Sequence, residues 1–541
     1  LTTASLRLGE CYNKLCWCIY YSFKVDLTGD MKKNPIILYP FIFSLASSLY
    51  LYQRNVFEVN FLSVLRTLIV ITAFTILVYL INKLLFRQSE VAGILTSAMM
   101  LIFTTFGSMN TYFAAKITFG NPQDLTMGLE LLMVLILFGL LVLVIKKPDI
   151  RKKLHEFLVL SSVAFLALLI AGFAITFLRS WINVRTTTEP DVIIGSSTEQ
   201  DALPDIYFIV LDGYTSRPVL QEDFQFDNSG FLNSLRDMGF VVIDDSYSNF
   251  DGTVYSLSTI LNMDYAQKFI DSGLYDPGHR VFIDKSINNE VRKILSGYGY
   301  HFTAFSSDFP WLLWRDADYL LEPVKSNFLV SGINQFEYLV IRGSIFSTIL
   351  SYDPSFLDKL GFWFGRMGDE KYAEQLYLMN HLSEVPHDGS PMFVYAHSTI
   401  THTPFLFHAD GSMIRASDQG SYLSDFTAEN MKQSYLETIQ FANKQILPQL
   451  AAILEKKPNS IIILLGDHGY PGKDQNAILF AIYDPRNSIE SRECFTSINI
   501  FPSIFNRWFG MDLDLFQGDI YKTLDQKTNS FELLKSCPAE E

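Results

Sequence analysis

Cysteine is scarce in this chain: five in 541 residues, three of them before residue 20 and only Cys494 and Cys537 beyond it. So few cysteines exclude a scaffold built on disulfides, and Cys11, Cys16 and Cys18 lack the paired spacing of a cysteine zinc site. An oxidising compartment would permit a bridge between Cys494 and Cys537, with two unpaired small hydrophobes as the alternative; neither has a catalytic setting. Positive charge is also short, 42 Lys and Arg against 57 Asp and Glu, for a formal net charge of −15. The second half holds no basic stripe, which argues against a nucleic-acid partner. Internal repeats, low-complexity tracts and a cleavable signal peptide are all lacking in the pattern.

What the chain does have is long apolar runs, at Pro35–Tyr52, Phe61–Ile81, Val91–Phe113, Leu125–Val144 and Leu158–Phe177. Each is near the length that crosses a hydrocarbon core of about 30 Å, so five membrane helices are expected. Short polar loops between them leave little room for a soluble amphipathic bundle. Lys32 and Lys33 precede the first run, Lys83 and Arg87 separate the second and third, and Lys146, Lys147, Arg151, Lys152 and Lys153 join the fourth and fifth. The alternate loops hold only Arg54 and Lys116. The positive-inside rule then places everything after Ser180 on the extracytoplasmic side of the cell membrane. Arg66 is the main charge within the runs, whereas a transporter would be expected to carry several polar breaks. Residues 1–30 read as an upstream extension or cytoplasmic tail ahead of Met31, residues 31–180 as the membrane domain, 181–203 as a linker, and 204–541 as an exported domain.

From Pro204 onward, apolar strands alternate with helical patterns. Strands are expected at Asp205–Leu211, Phe240–Ile243, His301–Phe305, Met392–Tyr395, Ser460–Leu465 and Ala477–Tyr483, and helices at Phe231–Met238, Ser256–Leu261, Glu290–Ser296 and Ala428–Glu455. The fold class is therefore a multi-pass α-helical membrane domain followed by an α/β domain with a mainly parallel sheet flanked by helices. In such a sheet, ligands bind beyond the carboxyl ends of the strands. Two acidic residues stand there: Asp212 after IYFIVL, and Asp467, with His468, after IIILLG. A carboxylate beside an imidazole suits a divalent cation such as zinc or manganese. The alternative is that both acids merely open turns.

Thr253 follows Gly252 just before a helical stretch, where exposed N–H groups favour an oxyanion or phosphate. A hydroxyl there is a candidate nucleophile if a metal activates it, and otherwise an N-cap. His397 and His402 both lie in YAHSTITHTPF, His397 reading more readily as a packed core histidine. The aromatic stretch Phe309–Tyr319 would line an acyl or sugar pocket, or serve as core.

The order of Asp212 after a strand, Thr253 in GTVYSL, His402 in HTPF and Asp467-His468 in GDHG resembles the alkaline phosphatase superfamily in its sulfatase-like branch. The chain is most similar in plan to membrane enzymes of the lipoteichoic acid synthase and phosphoethanolamine transferase kind. The resemblance implies one metal centre held by Asp212, Thr253, Asp467 and His468, with Thr253 as the nucleophile that becomes covalently modified. It implies that His402 contacts the transferred group and that Arg315, in Trp314-Arg315-Asp316, binds substrate, a surface or structural arginine being the alternative. One divalent ion is implied among zinc, manganese, magnesium and calcium, zinc or manganese favoured. Three features depart from the pattern: Asp212 stands where the transferases carry Glu, no Cys or Ser lies in the C/S-x-P-x-R motif of sulfatases, and the extra histidines of two-zinc phosphodiesterases are missing after His468.

The resemblance implies a metal-dependent transferase moving a phospho-substituent, such as phosphoglycerol or phosphoethanolamine, from a lipid or lipid-linked donor to an envelope glycan or lipid. A phosphate- or sulfate-ester hydrolase of the same fold is one alternative, and a catalytically silent membrane-anchored binding protein is another.

Overall fold

The computed structural model describes residues 37–55, 59, 61–116, 122–186, 203–271, 280–307, 309, 311–324, 334–352, 369–414, 428–472, 474–490, 493–526 and 528–538. The expected N-terminal extension, Lys32, Lys33 and most of the expected linker lie outside these residues. Two compact units are present. The first is built from the helices Tyr39–Arg54, Phe61–Phe86 from Thr67 on, Ser89–Lys116, Pro122–Lys146 and Pro148–Thr186 as far as Trp181. Among the described residues four of these are long and apolar enough to cross a membrane, over Val64–Phe86, Ser89–Phe113, Leu125–Lys146 and Pro148–Ile175. Five spans were expected. The difference is the first, whose helix has only 16 residues, about 24 Å at the helical rise, with Ser44, Ser47 and Ser48 among its apolar residues. Residues Arg342–Ile345 also belong to this unit, where the Ile345 N–H donates to the Phe103 carbonyl at 2.8 Å. Arg66, the charge noted within the apolar runs, is buried and paired with Glu337.

The second unit is organised by a seven-stranded sheet. Its strands are β1 (Ile206–Leu211), β2 (Val241–Val242), β4 (His301–Phe305), β5 (Tyr319–Leu321), β6 (Met392–Ser398), β7 (Ile461–Leu465) and β8 (Phe480–Tyr483), in the order β2-β8-β7-β1-β6-β4-β5. The run from β7 to β5 is parallel, and β8 is antiparallel to both β7 and β2. The central strands IYFIVL and IIILL are buried along their whole length, as strands covered on both faces must be. Tyr207, Ile209, Leu211, Ile462 and Leu464 pack on one face; Ile206, Phe208, Val210, Ile461 and Ile463 pack on the other. Two small sheets complete the unit: β3 (Ser246–Tyr247) pairs with β9 (Phe495–Thr496), and β10 (Gly518–Asp525) with β11 (Ser530–Cys537). A disulfide joins Cys494 to Cys537, which resolves the alternative left by the sequence.

Strand register decides which side chains meet. Val210 stands beside Leu465 of β7 and beside His397 of β6. Two residues beyond that level on β1 and β7 come Asp212 and Asp467. Their loops then cross at very short range: a Cβ on Gly466 would lie 2.3 Å from the Tyr214 carbonyl oxygen and 3.1 Å from that of His468. Gly213 adopts φ +75° on the opposite loop, a conformation that favours glycine. Gly466→Ala is therefore expected to push the β1 and β7 loops apart and to destabilise the second unit by roughly 1–3 kcal/mol, as overpacking does. Chemical denaturation of the full chain checks this, and an unchanged midpoint would refute the crossing.

Candidate metal centre

Five side chains converge where β6, β1 and β7 end. Asp212 and Asp467 are fully buried, with His397 and His468 close behind. His397 Nε2 lies 3.2 Å from Asp212 Oδ2, and His468 Nε2 lies 3.3 Å from Asp212 Oδ1 and 3.9 Å from Asp467 Oδ2. One ligand atom from each of Asp212, His397 and Asp467 falls within 4.8 Å of the other two. The Gly213 N–H donates to Asp467 Oδ1 at 3.1 Å, while Asp467 Oδ2 is buried without a hydrogen bond. A buried carboxylate oxygen left in this state costs free energy unless a cation answers it. Two carboxylates, two imidazoles and a nearby hydroxyl form a donor set that fits zinc or manganese.

Thr253 begins the helix Thr253–Asn262, with Gly252 as its N-cap residue. The N-cap role open to Thr253 from sequence thus falls to its neighbour. Thr253 Oγ1 instead approaches Asp212 Oδ2 at 3.5 Å. The turn before it is fixed from the other side of the chain: Asp251 Oδ1 accepts from the Thr523 N–H at 3.0 Å and from Thr523 Oγ1 at 2.6 Å, and Tyr255 Oη bonds Asn529 Oδ1 at 3.0 Å. His402 is partly exposed, its ring edge-on to Phe309 at 5.3 Å and 6.4 Å from the His468 ring. Arg315 is exposed on the turn after buried Trp314, and the contacts that join Asp212, Thr253, Asp467 and His468 do not include it. Its neighbour Asp316 pairs with Arg292.

His397 belongs with the carboxylates, not with the packed core histidines its sequence setting suggested. Signals for it were present: it ends a strand register-matched to β1, five residues before His402. Tyr435 had no such signal. Its hydroxyl donates to the Gly213 carbonyl at 2.8 Å and accepts from the Thr215 N–H at 3.0 Å, holding the loop behind Asp212 from more than 200 residues away.

The electrostatics follow from burial and contact. Burial opposes charge on Asp212, but His402, His397 and His468 outweigh it and hold the carboxyl well below the usual range. Burial raises Asp467, and the Asp212 charge beside it raises it further. Burial works against a charged His468, yet Asp467 and Asp212 overcome it and push the imidazole up to about 10.

No family model matches the chain, and no curated relative does. Solved structures do. The integral membrane lipooligosaccharide phosphoethanolamine transferase A of Neisseria meningitidis is 12% identical, with 87% of this chain and 95% of that one covered at a TM-score of 0.36. The C-terminal periplasmic domain of Escherichia coli EptC is 11% identical, covering 60% of this chain and 91% of that one at a TM-score of 0.34. The corresponding domain of the Campylobacter jejuni phosphoethanolamine transferase EptC is 11% identical, covering 57% and 90% at 0.33. These are among the kinds of protein that the motif order resembles. The chemistry below rests on the residues of the site itself.

Because a ligating imidazole must be neutral, metal entry has to displace the proton that His468 holds below pH about 10. Zinc affinity of the full chain is expected to rise with pH between 6.5 and 8.5, by up to roughly tenfold per unit for one displaced proton. Titration calorimetry at three pH values checks the slope. Asp467→Asn and His468→Ala are each expected to lower bound metal on elemental analysis, and unchanged content in both would remove them from the ligand set.

Proposed function

We propose that this protein transfers a phospho-substituent from a lipid or lipid-linked donor to an envelope acceptor through a covalent intermediate on Thr253. The observation that carries the reading is the Thr253 hydroxyl, at the first residue of a helix and 3.5 Å from the Asp212 carboxylate, within a buried group of two acids and two histidines. Asp212, Asp467, His468 and His397, with Thr253, would hold one divalent ion, which when bound acidifies a hydroxyl and polarises a phosphoryl oxygen.

The chain's own residues supply the rest. Thr253 Oγ1 attacks phosphorus, its proton passing toward the ionised Asp212 as the nearest base, and the bond from phosphorus to the donor's leaving oxygen breaks. Asp212 passes that proton on to the leaving oxygen; an acceptor hydroxyl then attacks the phospho-threonine, its proton passing by the same carboxylate to the released Thr253 oxygen. Charge that develops on the phosphoryl oxygens meets the exposed N–H groups of the Thr253 helix and the His402 ring. Arg315 is retained as a binding residue only if substrate extends to its exposed turn. Water in place of the acceptor would make the same site a phosphodiester hydrolase.

Orientation supports an extracytoplasmic site. Lys146, Lys147, Arg151, Lys152 and Lys153 flank the last apolar helix, so one crossing separates that basic loop from the second unit, whatever the first short helix does. A reporter active only outside the cytoplasm is expected to work when fused after Ser180 and to fail at Lys147, and the reverse would place the site inside.

Thr253→Ala is expected to lower turnover about a thousandfold or more, the scale of nucleophile loss, while lowering bound metal less than Asp467→Asn does, because it removes a neutral donor and not a charged one. Intact-mass spectrometry after incubation with membrane lipids is expected to show an adduct on Thr253 whose mass names the transferred group. Near-normal turnover in Thr253→Ala would instead favour direct attack by water.

A further inference from the structure

The helix Asp369–His381 carries a buried cation that the transfer chemistry leaves unused. Lys371 is 7% exposed, and its Nζ donates to the His402 carbonyl at 3.0 Å and lies 3.5 Å from the Thr403 carbonyl. One turn along, Gln375 Oε1 accepts from Ser398 Oγ at 2.7 Å, and Ser398 Oγ accepts from the Ile400 N–H at 3.3 Å. The helix thus grips residues 398–403 at both ends. Between the grips, Thr401 Oγ1 donates to the Asp212 carbonyl at 2.7 Å, tying the same segment to the end of β1.

The Thr403 carbonyl is a shared acceptor. Besides facing Lys371, it stands 2.6 Å from His402 Nδ1. A carbonyl accepts only from a ring nitrogen that carries a proton, so this contact keeps a proton on Nδ1 of His402 and leaves Nε2 facing away from it, an acceptor in the neutral ring and a donor in the imidazolium. His468 uses the same arrangement, with its Nδ1 2.8 Å from the Gly469 carbonyl and its Nε2 toward Asp212. His402 differs in sitting on a partly exposed loop, where one carbonyl contact alone would be weakly held. A buried ammonium is stable only when its donors are met, and one of the carbonyls that Lys371 meets is the Thr403 carbonyl that faces the ring.

We propose that Lys371 is a positioning residue for His402, acting through the carbonyls of His402 and Thr403 to fix the ring's orientation and its Nδ1–H tautomer. Nε2 is then presented to the transferred group. The function of that presentation rests on the transfer reading above; the tautomer does not.

Two measurements on the full chain in detergent test this. In the first, 15N-histidine spectra recorded at a pH where the ring is neutral, with the His402 signals assigned by His402→Gln, are expected to show the Nδ1–H tautomer in the unaltered protein, a tautomer mixture in Lys371→Met, and the original form in Lys371→Arg. In the second, the zinc-loaded protein acts on bis(4-nitrophenyl) phosphate. Lys371→Met is expected to lower kcat roughly ten- to a hundredfold, the scale for losing a residue that orients a functional group. KM and metal content should stay near the original, and Lys371→Arg should recover most of the rate. An unchanged His402 tautomer in Lys371→Met overturns the proposal, as does equal loss of metal and thermal stability in both Lys371 variants. Absence of phosphodiester turnover in the unaltered protein would overturn the transfer reading instead, with the spectra still deciding the role of Lys371.

Discussion

Two carboxylates, Asp212 and Asp467, are fully buried at the ends of neighbouring parallel strands, and the rest of the second unit accommodates that repulsion. Like charges in a poorly solvated place cannot both persist unless cations or donors surround them. The response is visible in opposite directions: Asp212, with histidines about it, is held ionised, while Asp467, with Asp212 beside it, is pushed toward its neutral form. His468 remains charged between them. The three thereby share protons as a unit, and a divalent cation is the natural replacement for those protons. An arrangement serving only stability would do better with apolar residues at these strand ends.

Holding this cluster together takes long-range structure. Gly466 lets the β1 and β7 loops cross, Tyr435 ties the Asp212 loop from the helix Ala428–Lys456, and Thr523 ties Asp251 ahead of Thr253 from the C-terminal hairpin. The hairpin is itself fastened by the Cys494–Cys537 bridge and packed through Tyr521 and Phe531 around Phe250. The Thr253 turn therefore depends on residues some 270 positions away in sequence. Such contacts position the hydroxyl on a rigid helix end with little freedom left to lose on reaction.

What could be read from the sequence follows from range. The strand His301–Phe305 was legible to the residue, and β1 and β7 to within one, because buried parallel strands are short apolar runs bounded by turns. Asp212, Asp467 and His468 were legible as acids and an imidazole just past such runs. The β10–β11 hairpin and β5 were missed: Tyr319–Leu321 is only three residues at a sheet edge, and β11 is largely exposed and so lacks a buried alternation. The first apolar run, Pro35–Tyr52, reads as long as the others in sequence, but its described helix, Tyr39–Arg54, has 16 residues and carries Ser44, Ser47 and Ser48 within it. Lys371, Gln375 and Tyr435 left no trace, since what makes them matter is the partner each meets, not the residues beside it.

The aromatic stretch beginning at Phe309 shows how a single composition divides between roles. Trp314 is fully buried, stacked on Tyr395 at 4.4 Å and 7°, and belongs to the core beneath the sheet. Phe309 and Trp311, five residues earlier at most, stack on each other at 5.0 Å, with Phe309 meeting His402 edge-on and also lying 6.0 Å from the His397 ring. Trp311 reaches back to the cluster of Phe250 and Val254 on either side of Thr253. The pair thus forms an apolar wall between the Thr253 turn and the His402 loop. On the proposed reaction, a wall there would limit the water around a phospho-threonine without supplying any group that would activate it. On the proposed reaction, partition between hydrolysis and transfer would turn on whether an acceptor hydroxyl can displace the remaining water along that wall, a property of shape at Phe309 and Trp311 and not of the clustered acids and histidines.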